Sequence, residues 1–266
     1  MSTLSVVMSV YKNDDSAAFL RAVDSIMEQS RIPDEVIICL DGPVPKDLDD
    51  AVRVVSVDVK VKAHRLVKNI GLGGSRDYAI RQSSGNFIAV MDADDLSLKN
   101  RFQLQLDLIE NKSLDIVGGY ISEFSPDRLN QVRKVPLLHE DIFRKGKYRS
   151  PMNHVTVMFK RESYLASGGY ASIRGVEDYD LFHRMLISGY KFENIPEILV
   201  NVSFDESAIK RRAGLSYLKC CISLLMRMYQ SKYLNLLQLV TLLVIHTIAK
   251  LLPRRMIPLL YRCLRN

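Results

Sequence analysis

The chain has 266 residues, 47% of them hydrophobic, enough for one large α/β core plus an appendage. Its four cysteines, Cys39, Cys220, Cys221 and Cys263, lack metal-ligand spacing, which excludes a disulfide scaffold and a thiolate metal site and makes a reducing, cytoplasmic compartment the expectation. The net charge of +7 is an uneven average: all 30 acidic residues lie at or before Glu206, so residues 1–206 carry −4, while residues 207–266 hold 11 Lys and Arg and no acid.

The chain opens Met1-Ser2-Thr3-Leu4 and enters a strand without a basic segment or cleavage site, so no signal peptide is expected. Residues 4–11 read as a buried strand, and 17–29 as a helix with Phe19, Leu20, Val23, Ile26 and Met27 at helical spacing. A second strand spans 35–40 and breaks at Asp41-Gly42-Pro43; 52–61 reads as a third strand and 74–82 as a second helix. The apolar strand 86–91 then runs into Asp92-Ala93-Asp94-Asp95. Strand and helix alternate, and the strands are apolar nearly throughout. This predicts a doubly wound, mostly parallel sheet with helices on both faces.

Beyond the acidic cluster the pattern predicts a helix over 99–111, a strand over 115–120, a polar loop over 125–150, a strand over 155–159 and a helix over 179–189. The tail differs. Residues 234–252 are strongly apolar but include Asn235, Gln238, His246 and Lys250, after an amphipathic stretch at 218–229. Basic and apolar residues then alternate through Pro253-Arg254-Arg255 and on to Arg265. That mixture suits a membrane interface, with packing on the main domain or a bilayer span as the alternatives. Nucleic acid is not expected, because the basic residues are interleaved with Leu, Ile and Met. The expected division is a catalytic domain over 1–206 and a basic amphipathic tail over 207–266.

Three carboxylates at the end of a buried strand are costly to hold as anions, and a hard divalent cation, Mg²⁺ or Mn²⁺, relieves that cost. Asp92, Asp94 and Asp95 are therefore the metal candidates, and such ions are commonly shared with substrate phosphates. A solvated helix-capping turn is the plain alternative. Ser9-Val10-Tyr11 and Asp41-Gly42 end two adjacent strands, at the edge where open α/β sheets bind ligands. Gly71-Leu72-Gly73-Gly74 is no dinucleotide fingerprint, lacking the third glycine at its spacing, but a Gly-rich helix start carrying Arg76 suits phosphate. Glu177-Asp178 opens a helix, where capping or general-base chemistry are both open. Asn153-His154 is a candidate for acceptor binding.

Taken in order, Ser9-Val10-Tyr11, Asp41-Gly42, Asn69-x-Gly71, Arg76-Asp77, Asp92-Ala93-Asp94-Asp95, Gly168-Gly169-Tyr170 and Glu177-Asp178-Tyr179-Asp180-Leu181 resemble family 2 glycosyltransferases. The blocks Leu40-Asp41-Gly42-Pro43 and Asn153-His154-Val155-Thr156-Val157-Met158 are similar to the bacterial exopolysaccharide and O-antigen members, including those of amylovoran biosynthesis. The resemblance covers residues 4–203. It implies a GT-A fold and an inverting transfer of the hexosyltransferase type, from a nucleotide-sugar, UDP-sugar foremost, to a polyprenyl-diphosphate-linked saccharide at the cytoplasmic membrane surface.

By position, the resemblance places the nucleoside on Asp41 and the Ser9, Val10 and Tyr11 backbone, with Arg76 near the nucleotide. It gives Asp92, Ala93 and Asp94 the nucleotide-sugar, with the metal on Asp94, Asp92 and Asp95. Asp178 is then the base and Glu177 its neighbour. Two departures stand out: Ser75-Arg76-Asp77 replaces the usual Ala-Arg-Asn, and His183-Arg184 falls where Trp is common; both are expected to bear on donor fit. A non-catalytic homologue of the same assembly pathway would be expected to lack one of these carboxylates. A nucleotidyltransferase would need a basic Gly-rich loop after the first strand, which Val10-Tyr11-Lys12-Asn13 does not provide.

Overall fold

The computed structural model describes residues 2–125, 128–203 and 214–251. The chain divides into two compact units, Met1–Ser172 with Glu177–Phe204, and Ile173–Val176 with Asp205–Asn266. The expected boundary at 206 lies outside the described residues.

In the first unit, β1 (Leu4–Val10), β2 (Glu35–Leu40), β3 (Val61–Arg65) and β4 (Phe87–Asp92) form the parallel half of one sheet. The other half is mixed: β5 (Leu96–Ser97), β6 (Ile116–Ser125), β7 (Arg128–Arg133), β8 (Met158–Lys160) and β9 (Phe192–Ser203). The strand order is β3-β2-β1-β4-β8-β6-β9-β5, with β7 paired to β6.

The apolar strands bury both faces. Leu4, Val6, Met8 and Val10 enter one core, and Val7, between them, enters the other. Strands β2 and β4 split the same way, as the two-residue side-chain period requires. The first core is closed by α1 (Ser16–Met27), α2 (Lys46–Val55) and α4 (Arg101–Asn111), the second by α3 (Leu72–Gln82), α5 (His139–Lys145), α6 (Arg161–Ala166) and α7 (Glu177–Ile187). Helices thus cover both faces, as the alternation predicts.

Three expectations are corrected. Residues 52–61 are not a strand: Val52 belongs to the last turn of α2, and the strand begins only at Val61. The β-branched run misleads because Val57 and Val59 are 87% and 90% exposed, while Leu48, Ala51 and Val52, at helical spacing, are buried. Residues 125–150 are not only loop, since they contain β7 and α5. An edge strand paired on one side needs no apolar alternation, so its polar sequence concealed it. Residues 155–159 begin as a 3-10 turn at His154–Thr156, because the Asn153 carbonyl accepts from both the Thr156 N–H (2.9 Å) and its hydroxyl (2.7 Å).

The second unit holds α8 (Leu215–Gln230) and α9 (Leu236–Leu251), which pack on each other. No helix among the described residues is long and apolar enough to cross a membrane.

Glu35 ties β1, β2 and β3 together at their start. Its carboxylate accepts from the Ser5 hydroxyl (2.7 Å), the Ser84 N–H and hydroxyl (2.5 and 2.9 Å) and the Lys62 ammonium (2.7 Å). Burial alone would raise its pKa, but Lys62, Ser84 and Ser5 hold it at about 2. The charged form is the stabilising one, so its contribution is complete above the ordinary value of 4.5 and fades as pH falls towards 2. Glu35→Gln should therefore cost about 2 kcal/mol at pH 7 in urea melts, and the gap from wild type should narrow between pH 4.5 and 2.

Candidate active site

The parallel strands end on one edge, and the register sets Ser9 beside Asp92 and Cys39. Just past β2, Asp41 is buried and latches the next turn. Its Oδ1 accepts from the Ile70 N–H (2.7 Å), and its Oδ2 from Asn69 Nδ2 (2.7 Å) and the Gly71 N–H (3.0 Å). Gly42 adopts φ +88°, and a Cβ there would lie 2.8 Å from the Asn69 nitrogen, so the Asp-Gly pair serves this latch. Val10 gives its side chain to the core and its carbonyl to the Asp41 N–H (2.8 Å). The Ser9 and Ser75 hydroxyls meet at 2.5 Å, joining β1 to α3, and the Tyr11 N–H donates to Asp14 Oδ2 (2.7 Å).

Arg76, one turn into α3, is 4% exposed and forms an ion pair with Asp92. Its Nε is buried without a hydrogen-bond partner. Burial works to lower its pKa, yet the value is raised, because the negative field of Asp92, with Tyr170, Glu177 and Asp178, outweighs the burial. Packing agrees: a Cβ on Gly73 would lie 3.1 Å from Glu177 Cγ and 3.6 Å from Tyr170 Cβ, so the start of α7 sits directly on this turn of α3. Four stretches far apart in the chain, at Arg76, Asp92, Tyr170 and Glu177-Asp178, thus meet at one place.

The acidic cluster separates into three environments. Asp92 is half-buried on Arg76, Ala93 is buried, and Asp94 is exposed. Asp95 is 2% exposed and accepts from the Ser203 N–H at 2.9 Å. Burial, followed by Asp92 and Asp94, pushes its pKa up to about 9. Beneath it lies Arg101, wholly buried, donating to the Val90 carbonyl (2.8 Å), Gln105 Oε1 (3.1 Å) and Met91 Sδ (3.4 Å). Burial lowers its pKa to about 9 against the pull of Asp95 and Asp92.

On α7, the Asp178 carboxylate accepts from the Tyr179 N–H (2.8 Å), while Asp180 is fully buried in an ion pair with Arg184 (2.8 Å). His154 Nε2 meets the Tyr170 hydroxyl at 2.6 Å, and burial, then Arg76, holds its pKa well below the usual value, so the imidazole is neutral. Asn153 is buried, and its amide donates to the carbonyls of Gly119 (2.8 Å) and Arg133 (3.3 Å). Its amide nitrogen thus bridges β6 and β7, while its Oδ1 is buried without a hydrogen-bond partner.

The sequence profile "Glycosyl transferase family 2" matches residues 5–167. The chain belongs to glycosyl transferase family 2. It is 31% identical over 252 residues (94% of this chain, 91% of the relative) to "UDP-Gal:alpha-D-GlcNAc-diphosphoundecaprenol beta-1,3-galactosyltransferase" of Escherichia coli. It is 26% identical over 258 residues (97% of each chain) to the "Amylovoran biosynthesis glycosyltransferase AmsE" of Erwinia amylovora. The S. aureus TarS 1-349 structure in complex with UDP-GlcNAc superposes with TM-score 0.72 at 14% identity, covering 96% of this chain and 78% of that one. The fold is GT-A.

Family 2 members of this fold generally use a divalent metal, and the residues here fit one in a limited sense. Among the described residues, no three His, Cys, Asp or Glu converge to hold an ion. The oxygens of Asp92 and Asp94 suit a hard cation completed by a substrate diphosphate, while Asp95 is turned to Ser203.

Sequence reasoning missed Arg101, and it named the turn at Gly168-Gly169-Tyr170 only as part of the resemblance, without a role. The signal for Arg101 was there: with Gln105 it falls on the buried stripe of Phe102, Leu106 and Ile109. The two departures from the family pattern also serve this turn. Asp77 accepts from the Tyr164 hydroxyl (2.8 Å), which in turn accepts from the Tyr170 N–H (3.0 Å). Arg184 donates to the carbonyls of Ser167 and Gly169. Their work is to clamp α3 to α7. Gly169 has φ +69°, and a Cβ there would lie 2.3 Å from Asp77 Oδ1. Gly169→Ala should cost about 2–3 kcal/mol by thermal or urea unfolding, where an ordinary surface substitution stays near zero.

Proposed function

We propose that this protein moves a sugar from a UDP-sugar to a polyprenyl-diphosphate-linked saccharide, with inversion, in assembly of a bacterial surface polysaccharide. The observation that carries the reading is the convergence of Asp92 from the donor motif and Asp178 from the base motif around the buried Arg76. The named activity of the Escherichia coli relative, a UDP-galactose transfer onto a diphosphoundecaprenol-linked sugar, supports the substrate class.

The nucleoside would lie over the β1 and β2 ends, against the Ser9–Tyr11 backbone and Asp41. Asp92 and Asp94 would hold Mn²⁺ or Mg²⁺, which when bound neutralises charge on the leaving diphosphate. Arg76 adds a second positive charge to the same region. Asp178, in the first turn of α7, would accept the proton of the acceptor hydroxyl as its oxygen attacks the anomeric carbon. Glu177 lies beside it, and His154, through Tyr170, lines the same side. Asp178→Asn should lower turnover at least 1,000-fold, measured as UDP release with a lipid-linked acceptor, and leave UDP affinity within about threefold. Wild-type turnover in that variant would remove Asp178 from the mechanism.

The tail supports extending this reading to membrane attachment at the inner face. The 16 residues of α9 reach about 24 Å, short of a bilayer core. Leu237, Val240, Val244 and Ile248 are exposed along one side, while Leu239 and Leu242 are buried. An apolar stripe in a segment with basic and no acidic residues suits an anionic lipid surface. Leu237→Asp with Val244→Asp should lower co-sedimentation with phosphatidylglycerol vesicles at least fivefold; unchanged sedimentation would count against attachment by this face.

A further inference from the structure

Arg76 has an unusual position for a surface-helix arginine. It is almost fully buried, its partner is a carboxylate of the metal-candidate motif, and Glu177 packs one turn away on Gly73 of the same helix. Three carboxylates, Asp92, Glu177 and Asp178, surround it, and one of its nitrogens is buried without a partner. A buried guanidinium with a spare donor costs free energy unless an acceptor arrives to take it. Such an acceptor would be an anion, and the diphosphate of a nucleotide offers planar pairs of oxygens that match a guanidinium fork.

We propose that Arg76 is the resident counter-ion of the acidic site, holding Asp92 until a nucleoside diphosphate draws the guanidinium away and frees that carboxylate for the divalent cation. The inference rests on the donor-site reading above and adds an order to it: cation and nucleotide load together, and the cation alone loads poorly. The physical reason is charge. A cation approaching Asp92 meets a fixed positive group in a half-buried cleft, where repulsion is poorly screened. With the diphosphate present, that group gains a better partner and the same carboxylate becomes a ligand. Coupling is reciprocal, so the cation must also tighten nucleotide binding by the same factor.

The test is Mn²⁺ binding, followed by the free-ion signal in electron paramagnetic resonance, with and without UDP, on the full chain. Wild type should bind Mn²⁺ weakly alone and at least tenfold more tightly with saturating UDP. Arg76→Gln should bind Mn²⁺ at least fivefold more tightly than wild type without UDP, bind UDP at least fivefold more weakly, and lose most of the coupling. Arg76→Lys, which keeps the charge but not the fork, should fall between them and serves if the Gln variant does not fold by its thermal melt. Equal Mn²⁺ affinity in wild type and both variants without UDP, alongside UDP-dependent uptake in all three, would overturn the counter-ion role alone. Wild type that takes up no Mn²⁺ even with saturating UDP would overturn the metal reading of the acidic turn and this inference with it.

Discussion

The site is organised around the ion pair between Arg76 and Asp92. Asp92 ends a strand buried on both faces, and Arg76 lies in a helix that covers one of them. Arg76 would not be tolerable there alone, since an unpaired buried ion costs several kcal/mol. Together, and with Glu177 and Asp178 nearby, they form an acidic cluster with one cation inside it. The surroundings hold that arrangement. Gly73 lets α7 approach, Asp41 latches the turn before α3, and Ser75 ties α3 to β1.

A second layer fixes the distance between α3 and α7, the helices of Arg76 and Asp178. The turn at Gly168-Gly169-Tyr170 is gripped from α3 through Asp77 and Tyr164, and from α7 through Arg184. Asp180 keeps Arg184 in place from its buried position on the same helix. The members of this clamp set where Arg76 and Asp178 stand relative to each other. Beneath the acidic turn, Arg101 and Asp95 do similar work, fixing the turn to β4 and to the end of β9.

The membership in glycosyl transferase family 2 and the GT-A likeness to TarS agree with this geometry. Nucleotide-type sites form at the carboxyl edge of a parallel sheet, and here β8 runs antiparallel between β4 and β6 while β9 lies parallel to β6. The second unit contributes a pair of helices with an apolar stripe and no acid, a different physical problem from that of the sheet.

Much of this was legible in the residues. Strands buried on both faces are apolar nearly throughout, so β1, β2 and β4 read directly, and the carboxylates at their ends pointed to donor chemistry. What misread was what local pattern does not encode. Val57 and Val59 have strand propensity but no core to face, and β7 is polar because an edge strand needs no buried side. Linear order favours Asp92 and Asp94 for metal and ribose, with Asp95 beside them, and places Arg76 merely near a nucleotide. Only the tertiary structure turned Asp95 onto Ser203, left Asp94 in solvent and set Arg76 against Asp92, because burial and pairing of charges are decided by elements distant in sequence. Residue type and period determined the sheet, the motifs and the family; packing between α3, α7 and the strand ends decided which carboxylate is paired, which is buried and which is exposed.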